Sequence, residues 1–552
     1  MPMPRKRTSA RPLPELSPQS LFSNKRPAHS WRLDCELITP MYGGGTVTRT
    51  VDLGLPFRPT AIRGQLRFWW RLLRRLDAKT SKETPEQRFQ AERAIWGGLG
   101  DAETLAKSRV LVRLIKMPSL TERNLQPAQE KQVNKAGKLV PRWAAGVNDY
   151  ALFPAQEQSE DKDDKVPAAS VLMPGPTTVL RVTLVGALKG EGKFEEVRTE
   201  DRQEIERAIR WWATFGGFGG RTRRGAGAIA AQLDGKHVCV TAEEVAQQGL
   251  ALHLGPTEDN AEAAWNFALK AMKEYRHGAK IGKSPWPEAD SIRDLTNQTG
   301  RSSRHPARIA FPRAAFGLPI ITHFKDQKLG DPVDTELKPS GDDRERMASP
   351  IILRPIALTP GTFRAGLLCL PADHLKSLSL DLRETKGSKK LIGTFGPTEW
   401  WPEGEAARRK KANDIGPMQR TNQHDVLAGF VSHFKSAGSR QGTTTVPDAR
   451  RGGTSNIRGP AQPSALPSKT APKPEAPEET RECQVLRLSP NGRCLEAKID
   501  TKLTVLAAAS DFDALLDRVS EDVRQRIKSG KTSGKWRVTF VNKKLTKVEP
   551  IS

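Results

Sequence analysis

The residues best suited to chemistry in this sequence are arginines concentrated between positions 58 and 76. The segment contains six arginines and no acidic residue. On an α-helix of 3.6 residues per turn, five of them fall within an arc of about 120°, opposite an apolar stripe. The arc contains Arg63, Arg67, Arg71, Arg74 and Arg75, and the stripe contains Ile62, Leu66, Trp69, Trp70, Leu73 and Leu76. We therefore expect this helix to bury one face and present guanidinium groups, which bind phosphate oxygens, on the other.

A basic amphipathic helix is also compatible with a solvated surface element or a helix on a membrane surface. Arginines four residues apart repel each other, however, when no anion neutralises them. The whole chain has 89 Lys and Arg residues against 63 Asp and Glu residues, a net charge of +26. These two observations together favour an anionic partner, and nucleic acid in particular.

A second candidate binding segment is the loop from Gly216 to Gly227, which contains six glycines and three arginines. Glycine allows a backbone amide to approach a ligand closely, and arginine binds phosphate with two parallel hydrogen bonds. A helix cap followed by a hairpin would explain the first two glycines but not the rest. The residues predicted to bind are Gly216, Gly217, Gly219, Gly220, Arg221, Arg223, Arg224, Gly225 and Gly227.

The surrounding pattern predicts the elements that position these two segments. Residues 31–38, 109–116, 177–186 and 228–233 alternate like strands, and helices are expected at 62–76 and from a cap at Asp201 to Gly216. A polar insertion containing EQSEDKDDK separates the second and third strands and should be exposed and mobile. The order β-α-β-β-α-β predicts an α+β fold of the ferredoxin-like type.

No catalytic, metal or cofactor site is predicted. The five cysteines are dispersed, without a CxxC pair, and the nine histidines form no HExxH motif. The sequence has no run of 18 apolar residues and no apolar stretch typical of a secretory signal, so we expect a cytoplasmic protein.

Three motifs in combination resemble a known family: ITPMYGGG at residues 38–45, IRGQLRFWWR at 62–71 and GGFGGRTRRGAG at 216–227. Together with later segments at 284–293, 308–320 and 346–356, they are similar to the RAMP superfamily of CRISPR-associated RNA-binding proteins. Within it they look like the first RAMP subunit of the Cmr (type III-B) effector complex.

The resemblance implies two tandem ferredoxin-like (RRM-like) halves and a position near the 3′ end of the guide crRNA. It also implies help in capturing target RNA, other RAMP subunits as partners and no nuclease activity. Carried over to this sequence, it adds Gly43, Gly44 and Gly45 to the predicted RNA-binding residues. A plain turn explains this triplet equally well.

Two other functions stay open at this point. A guide-processing endoribonuclease of the same superfamily would share the glycine-rich loop, but it usually needs a histidine between the first strand and the first helix. No histidine lies between His29 and His237, which disfavours this alternative. A stand-alone basic RNA-binding scaffold is the other.

The patterns and the resemblance together predict five regions. Composition predicts a flexible N-terminus at 1–29, a disordered linker at 436–480 and a small C-terminal domain at 481–552. The resemblance implies that the regions between them, 30–248 and 249–435, are two ferredoxin-like domains.

The second half and the tail are less distinctive than the first half. In the second half, Arg313, Arg346 and Arg354 could equally contact RNA, contact a partner or lie free on the surface. In the tail, strand-like segments flank a predicted helix at 511–528, as expected for an oligonucleotide-binding barrel or a docking appendage.

Overall fold

In the computed structural model, contacts along the chain divide it into two compact units, Met1–Asp448 and Ala449–Ser552. The structure describes residues 26–98, 106–134, 137–159, 165–188, 193–278, 284–298, 305–324, 327–341, 345–385, 389–441, 478–483, 486–488, 494–499, 502–508, 524, 525, 527, 535–541 and 544–551. Its described helices include none that is long and apolar enough to cross a membrane.

The α-helices with described bounds lie in the first unit, and residues 524, 525 and 527 of the second unit are also helical. In chain order, α1 to α10 are Pro59–Leu76, Pro85–Trp96, Thr199–Phe215, Ala242–Gln247, Ala261–His277, Glu288–Leu295, Pro397–Trp400, Glu405–Asn413, Gly416–Thr421 and Val426–Gln441.

Strands run through both units. In the first unit, β1 to β19 are Ala28–Leu37, Met41–Tyr42, Val110–Lys116, Leu125–Pro127, Gln129–Val133, Leu139–Trp143, Gln158–Ser159, Lys165–Val166, Ser170–Leu172, Thr177–Val185, Ile229–Leu233, Lys236–His237, Ala251–Glu258, Ile320–Thr322, Thr335–Pro339, Ile351–Thr359, Thr362–Cys369, Leu380–Glu384 and Leu391–Phe395. In the second unit, β20 to β25 are Glu478–Cys483, Leu486–Leu488, Cys494–Ile499, Lys502–Ala508, Lys535–Val541 and Lys544–Ile551.

The first sheet is antiparallel and has the strand order β12-β11-β1-β10-β3. Alternation along β1 places Trp31 opposite Val182 and Leu33 opposite Leu180, all buried on the face that α1 and α3 cover. The strand after the second crossing helix, β11, thus pairs with the first strand, as it does in a ferredoxin-like fold. The predicted β-α-β-β-α-β order and α+β class are confirmed for this sheet.

Two local predictions for this domain are wrong. Asp201 does not cap α3, because the helix begins at Thr199 and Arg198 occupies the cap position. The Asp201 carboxylate is instead buried and accepts hydrogen bonds from Arg109 and Arg198, so it fixes the start of α3 to β3. The sequence reasoning also missed α2, although Thr84 and Gln87 form a capping box at its start.

The second half repeats most of the same order with β13, α5, β16, β17 and α10. Its sheet has the order β13-β17-β16, which corresponds to the first three strands of a ferredoxin-like sheet. Asn260 caps α5, and β16 pairs with β17 in antiparallel orientation. A four-stranded sheet, β14-β15-β18-β19, is inserted in this half.

The structure bears on three of the predicted boundaries. Strand β1 begins at Ala28, so residues 28 and 29 belong to the first domain rather than to a flexible N-terminus, and residues 1–25 lie outside the described residues. Helix α10 continues to Gln441, so residues 436–441 are helical rather than part of a linker, and residues 442–477 lie outside the described residues. The two halves of the first unit share their cores, because Ile352, Ile356 and Leu368 of the second half pack in the apolar cluster of the first sheet.

In the tail, the described strands form two three-stranded sheets, β20-β24-β25 and β21-β22-β23. Most of the predicted helix at 511–528 lies outside the described residues.

Candidate nucleic-acid interface

Helix α1 buries the apolar stripe that its sequence predicts. Ile62, Leu66, Trp69, Trp70 and Leu73 are buried, while Leu76 is half-buried. The exposed stripe differs from the predicted arginine arc. It follows three- and four-residue steps and contains Ala61, Gly64, Phe68, Arg71 and Arg75.

The expectation that these arginines lack intramolecular anions is wrong, because α2 supplies one. Arg67 and Arg71 both donate to the carboxylate of Glu92, which is only 8% exposed. The distance from Arg71 Nε to Glu92 Oε2 is 2.7 Å. Burial acts to raise the pKa of Glu92, but the hydrogen bonds from Arg71 and Arg67 hold it below its ordinary value. Repulsion within the arc is therefore relieved inside the protein.

Two further arginines of the arc have structural partners. Arg63 donates to the carbonyl oxygen of Trp96 at the end of α2, and burial lowers the pKa of Arg63. Arg74 donates to Glu83 and Glu204 at 2.9 Å each, which ties α1 to α3. Arg71, whose side chain is 54% exposed, and Arg75 therefore carry the accessible charge of this helix.

The glycine-rich loop is mostly a packed junction. Gly216, Gly217, Gly225 and Gly227 are buried. Gly227 has φ +65°, and a Cβ atom there would lie 1.9 Å from the carbonyl oxygen of Phe218. At these positions close packing of the backbone accounts for glycine without a ligand.

All three loop arginines have structural partners. Arg224 donates to the carbonyl oxygen of Ile351 at 3.1 Å, and burial lowers the pKa of Arg224 to about 10. Arg223 donates to the carbonyl oxygen of Ser349. Arg221 is an exposed residue whose Nε donates to the carbonyl oxygen of Ala151 at 2.9 Å, and partial burial of its guanidinium lowers the pKa of Arg221.

The first glycine triplet lies beside the accessible part of this loop. The Gly220 amide donates to the Tyr42 carbonyl at 2.8 Å, and a Cβ atom on Gly44 would lie 3.5 Å from Gly219 Cα. Gly43 and Gly44 have φ values of +63° and +94°. The triplet also starts a turn, since the Gly45 amide donates to Thr50. The structure therefore brings Gly44 next to Gly219 and Gly220 at one surface, whereas Gly43 is buried.

The side chain that connects α1 to the loop is Phe68, which the sequence reasoning did not select. The Arg223 guanidinium carbon lies 5.5 Å from the centre of the Phe68 ring. The signal was its spacing, since Phe68 follows Gly64 by four residues and precedes Arg71 by three.

The arginines of the second half have three different environments. Arg354 is buried, at 1% exposure, and has no access to a surface ligand. Arg313 pairs with the buried Glu288 at 3.0 Å, and Arg346 is exposed. Among the residues that the structure describes, no group of three His, Cys, Asp or Glu side chains is arranged to hold a metal ion.

Comparison with known proteins identifies the part of the chain that carries this surface. Residues 34–230 match the family model of the RAMP superfamily. The RAMP match covers the end of β1, strands β2 to β10, helices α1 to α3, the glycine triplet and the whole glycine-rich loop. It confirms the predicted resemblance to this superfamily over these residues.

Solved structures similar to this chain include the apo form of Cmr1 from Pyrococcus furiosus, with 14% identity and a TM-score of 0.29. That alignment covers 62% of this chain and 87% of the other. A structure of the type III-B Cmr-beta bound to cognate target RNA gives 11% identity and a TM-score of 0.33, with 62% and 94% covered. At these TM-scores the similarities do not carry the functional argument. No curated protein sequence matches this chain.

Proposed function

We propose that this protein is a non-catalytic RNA-binding subunit of a type III-B (Cmr) CRISPR effector complex in the cytoplasm. It lies near the 3′ end of the guide crRNA, contacts other RAMP subunits and helps to capture target RNA. The observation that carries the proposal lies within the RAMP match, where the exposed stripe of α1, with Phe68, Arg71 and Arg75, contacts the glycine-rich loop through Phe68 and Arg223.

The composition of this surface supports RNA binding. Arg71, Arg75 and Arg221 are exposed, and the backbone at Gly44, Gly219 and Gly220 has no side chain to obstruct a ribose-phosphate chain. Gly43 is buried and acts in the proposal by shaping the turn. The net charge of +26 supplies a long-range attraction for polyanions. The buried loop residues Gly216, Gly217, Arg224, Gly225 and Gly227, together with Arg63, act in the proposal by holding this surface in shape rather than by touching RNA.

Charge reversal of α1 tests the proposal. The double variant Arg71→Glu/Arg75→Glu in the full-length chain should lose at least tenfold in affinity for single-stranded RNA, because two charges are reversed and the net charge falls by four units at the surface. The matched control is Lys270→Glu/Lys376→Glu, which makes the same change in net charge at side chains that are 75% and 83% exposed elsewhere.

Two results would contradict the proposal. One is equal loss of affinity in both double variants, which would indicate a non-specific charge effect. The other is cleavage of guide precursor RNA by the purified chain, which would support the processing endoribonuclease instead. As a positive result, we expect the chain to copurify with a short guide RNA and sister RAMP subunits, and RNA crosslinks to map to residues 216–227.

A further inference from the structure

Phe68 differs from the other aromatic residues of α1. Trp69 and Trp70 are each 2% exposed and belong to the core, whereas Phe68 is 37% exposed. The helix could have placed an arginine or a glutamine at this position of its surface at no cost in helix stability. A large apolar ring at the centre of a cationic stripe therefore needs a separate explanation.

The surroundings of Phe68 hold the ring while leaving it accessible. Its ring centre lies 5.2 Å from that of Trp69, in an edge-to-face arrangement. On another side, Arg223 places its guanidinium carbon 5.5 Å from the ring centre, and the same guanidinium is anchored to the Ser349 carbonyl. These contacts restrict the ring, so less side-chain entropy is lost when a ligand stacks on it.

Space beside the ring is provided by the preceding turn of α1. Gly64 is exposed, and a Cβ atom built there would meet no atom within 4 Å. Residues four apart on a helix are neighbours on its surface, so the gap at Gly64 lies next to the Phe68 side chain. Arg71, one turn further along, lies beside the ring on the other side.

We propose that Phe68 is a stacking platform for one unpaired nucleobase, with the phosphate of the same or the next nucleotide on Arg71. This inference rests on the proposed RNA-binding function and specifies the form of the ligand at that surface. An aromatic ring binds the face of a base, and that face is accessible only when the nucleotide is single-stranded and unstacked. The site therefore takes a single-stranded segment and not the interior of a duplex.

The experiment measures the affinity of the full-length chain for a fluorescein-labelled 15-nucleotide RNA, as a single strand and as a blunt duplex. Phe68→Leu keeps an apolar side chain but removes the aromatic face. We expect about a five- to tenfold loss of affinity for the single strand, the size of one base-stacking contact, and no change for the duplex. Phe68→Trp should restore single-strand binding.

The matched control is Phe89→Leu on α2. Phe89 is 44% exposed and lies on the neighbouring helix. Its substitution should leave both affinities unchanged. Thermal unfolding of each variant checks that the fold is retained.

The results separate this inference from the proposed function. If Phe68→Leu binds the single strand as tightly as the wild type while Arg71→Glu/Arg75→Glu is weakened, the stacking inference is wrong and the RNA-binding proposal stands. If neither variant is weakened, both are wrong. If Phe68→Leu weakens the single strand and the duplex equally, or if Phe68→Trp fails to restore binding, the residue has a structural role and the stacking inference is wrong.

Discussion

The guanidinium of Arg354 donates a hydrogen bond to the carbonyl oxygen of Gly216, the residue that caps the C-terminus of α3. The last carbonyl groups of a helix have no partner within the helix and carry partial negative charge, so a buried cation is favourable there. In the opposite direction, Arg224 of the glycine-rich loop donates to the carbonyl of Ile351 on β16. Each half of the first unit thus supplies an arginine that binds a backbone carbonyl of the other half.

Removal of the Arg354 guanidinium should destabilise the whole first unit. Arg354 is 1% exposed, so Arg354→Met leaves buried carbonyl groups at Gly216 and Ile229 without their donor. We expect a loss of about 2–4 kcal/mol in the free energy of unfolding. Urea denaturation measures it, with Arg346→Met at an exposed position as the control. Equal stability of the two variants would mean that the buried guanidinium is dispensable.

Glycine at position 227 is required by the backbone geometry. In Gly227→Ala the new Cβ would collide with the Phe218 carbonyl at a φ of +65°, so we expect a loss of more than about 2 kcal/mol. Gly235 has φ +81° with nothing within 4 Å, so Gly235→Ala should show only the backbone cost of about 1–2 kcal/mol. The difference in stability between the two variants, taken from their melting curves, measures the cost of the collision. Identical curves would rule the collision out.

The Glu92 carboxylate should make stability depend on acid pH. Its folded-state pKa lies below the ordinary value of 4.5, so its contribution is fully present above that value and is lost as the pH falls through the folded-state pKa. Glu92→Gln should lower stability at neutral pH by about 1–2 kcal/mol and flatten the acid limb of the stability curve. The control is Glu405→Gln, which removes the exposed ion pair that Glu405 forms with Arg409 on one helix. An unchanged acid limb in Glu92→Gln would contradict the assigned ion pairs.

The salt dependence of RNA affinity should separate exposed arginine side chains from enclosed ones. Replacement of Arg71 or Arg75 by glutamine should reduce the slope of log K against log salt concentration by about 0.7 for single-stranded RNA, because each would release one counterion less. Arg74→Gln should leave the slope unchanged, since its side chain is 16% exposed and held by two carboxylates. If the three variants change the slope equally, the pairing does not limit access.

The order of elements in the first sheet followed from local signals. The buried face of β1 was predicted from its alternation, and that of α1 from the spacing of Leu66, Trp69 and Leu73. Both predictions are confirmed. Contacts between residues that are distant in sequence could not be predicted from these local patterns. Nothing near Arg67 or Arg71 indicates that Glu92, on a separate helix, will neutralise them.

The glycine-rich loop was ambiguous for a similar reason. Glycine is needed both where a ligand approaches the backbone and where two backbone segments touch, and the sequence does not separate the two cases. Gly227 is of the second kind, because the Phe218 carbonyl occupies the place of a Cβ atom. Gly219 and Gly220 are partly accessible beside Gly44. At these two positions, close approach of a ligand to the backbone stays a proposal.

The shared core of the two halves has a practical consequence for anyone who wishes to produce the RAMP match as a fragment. A truncation near residue 248 would remove Ile352, Ile356 and Leu368 and leave an apolar hollow open to water. Such a fragment should aggregate, and loss of RNA affinity in it would report misfolding and not the absence of a binding site. Domain dissection is therefore informative for this protein only when the cut falls after α10.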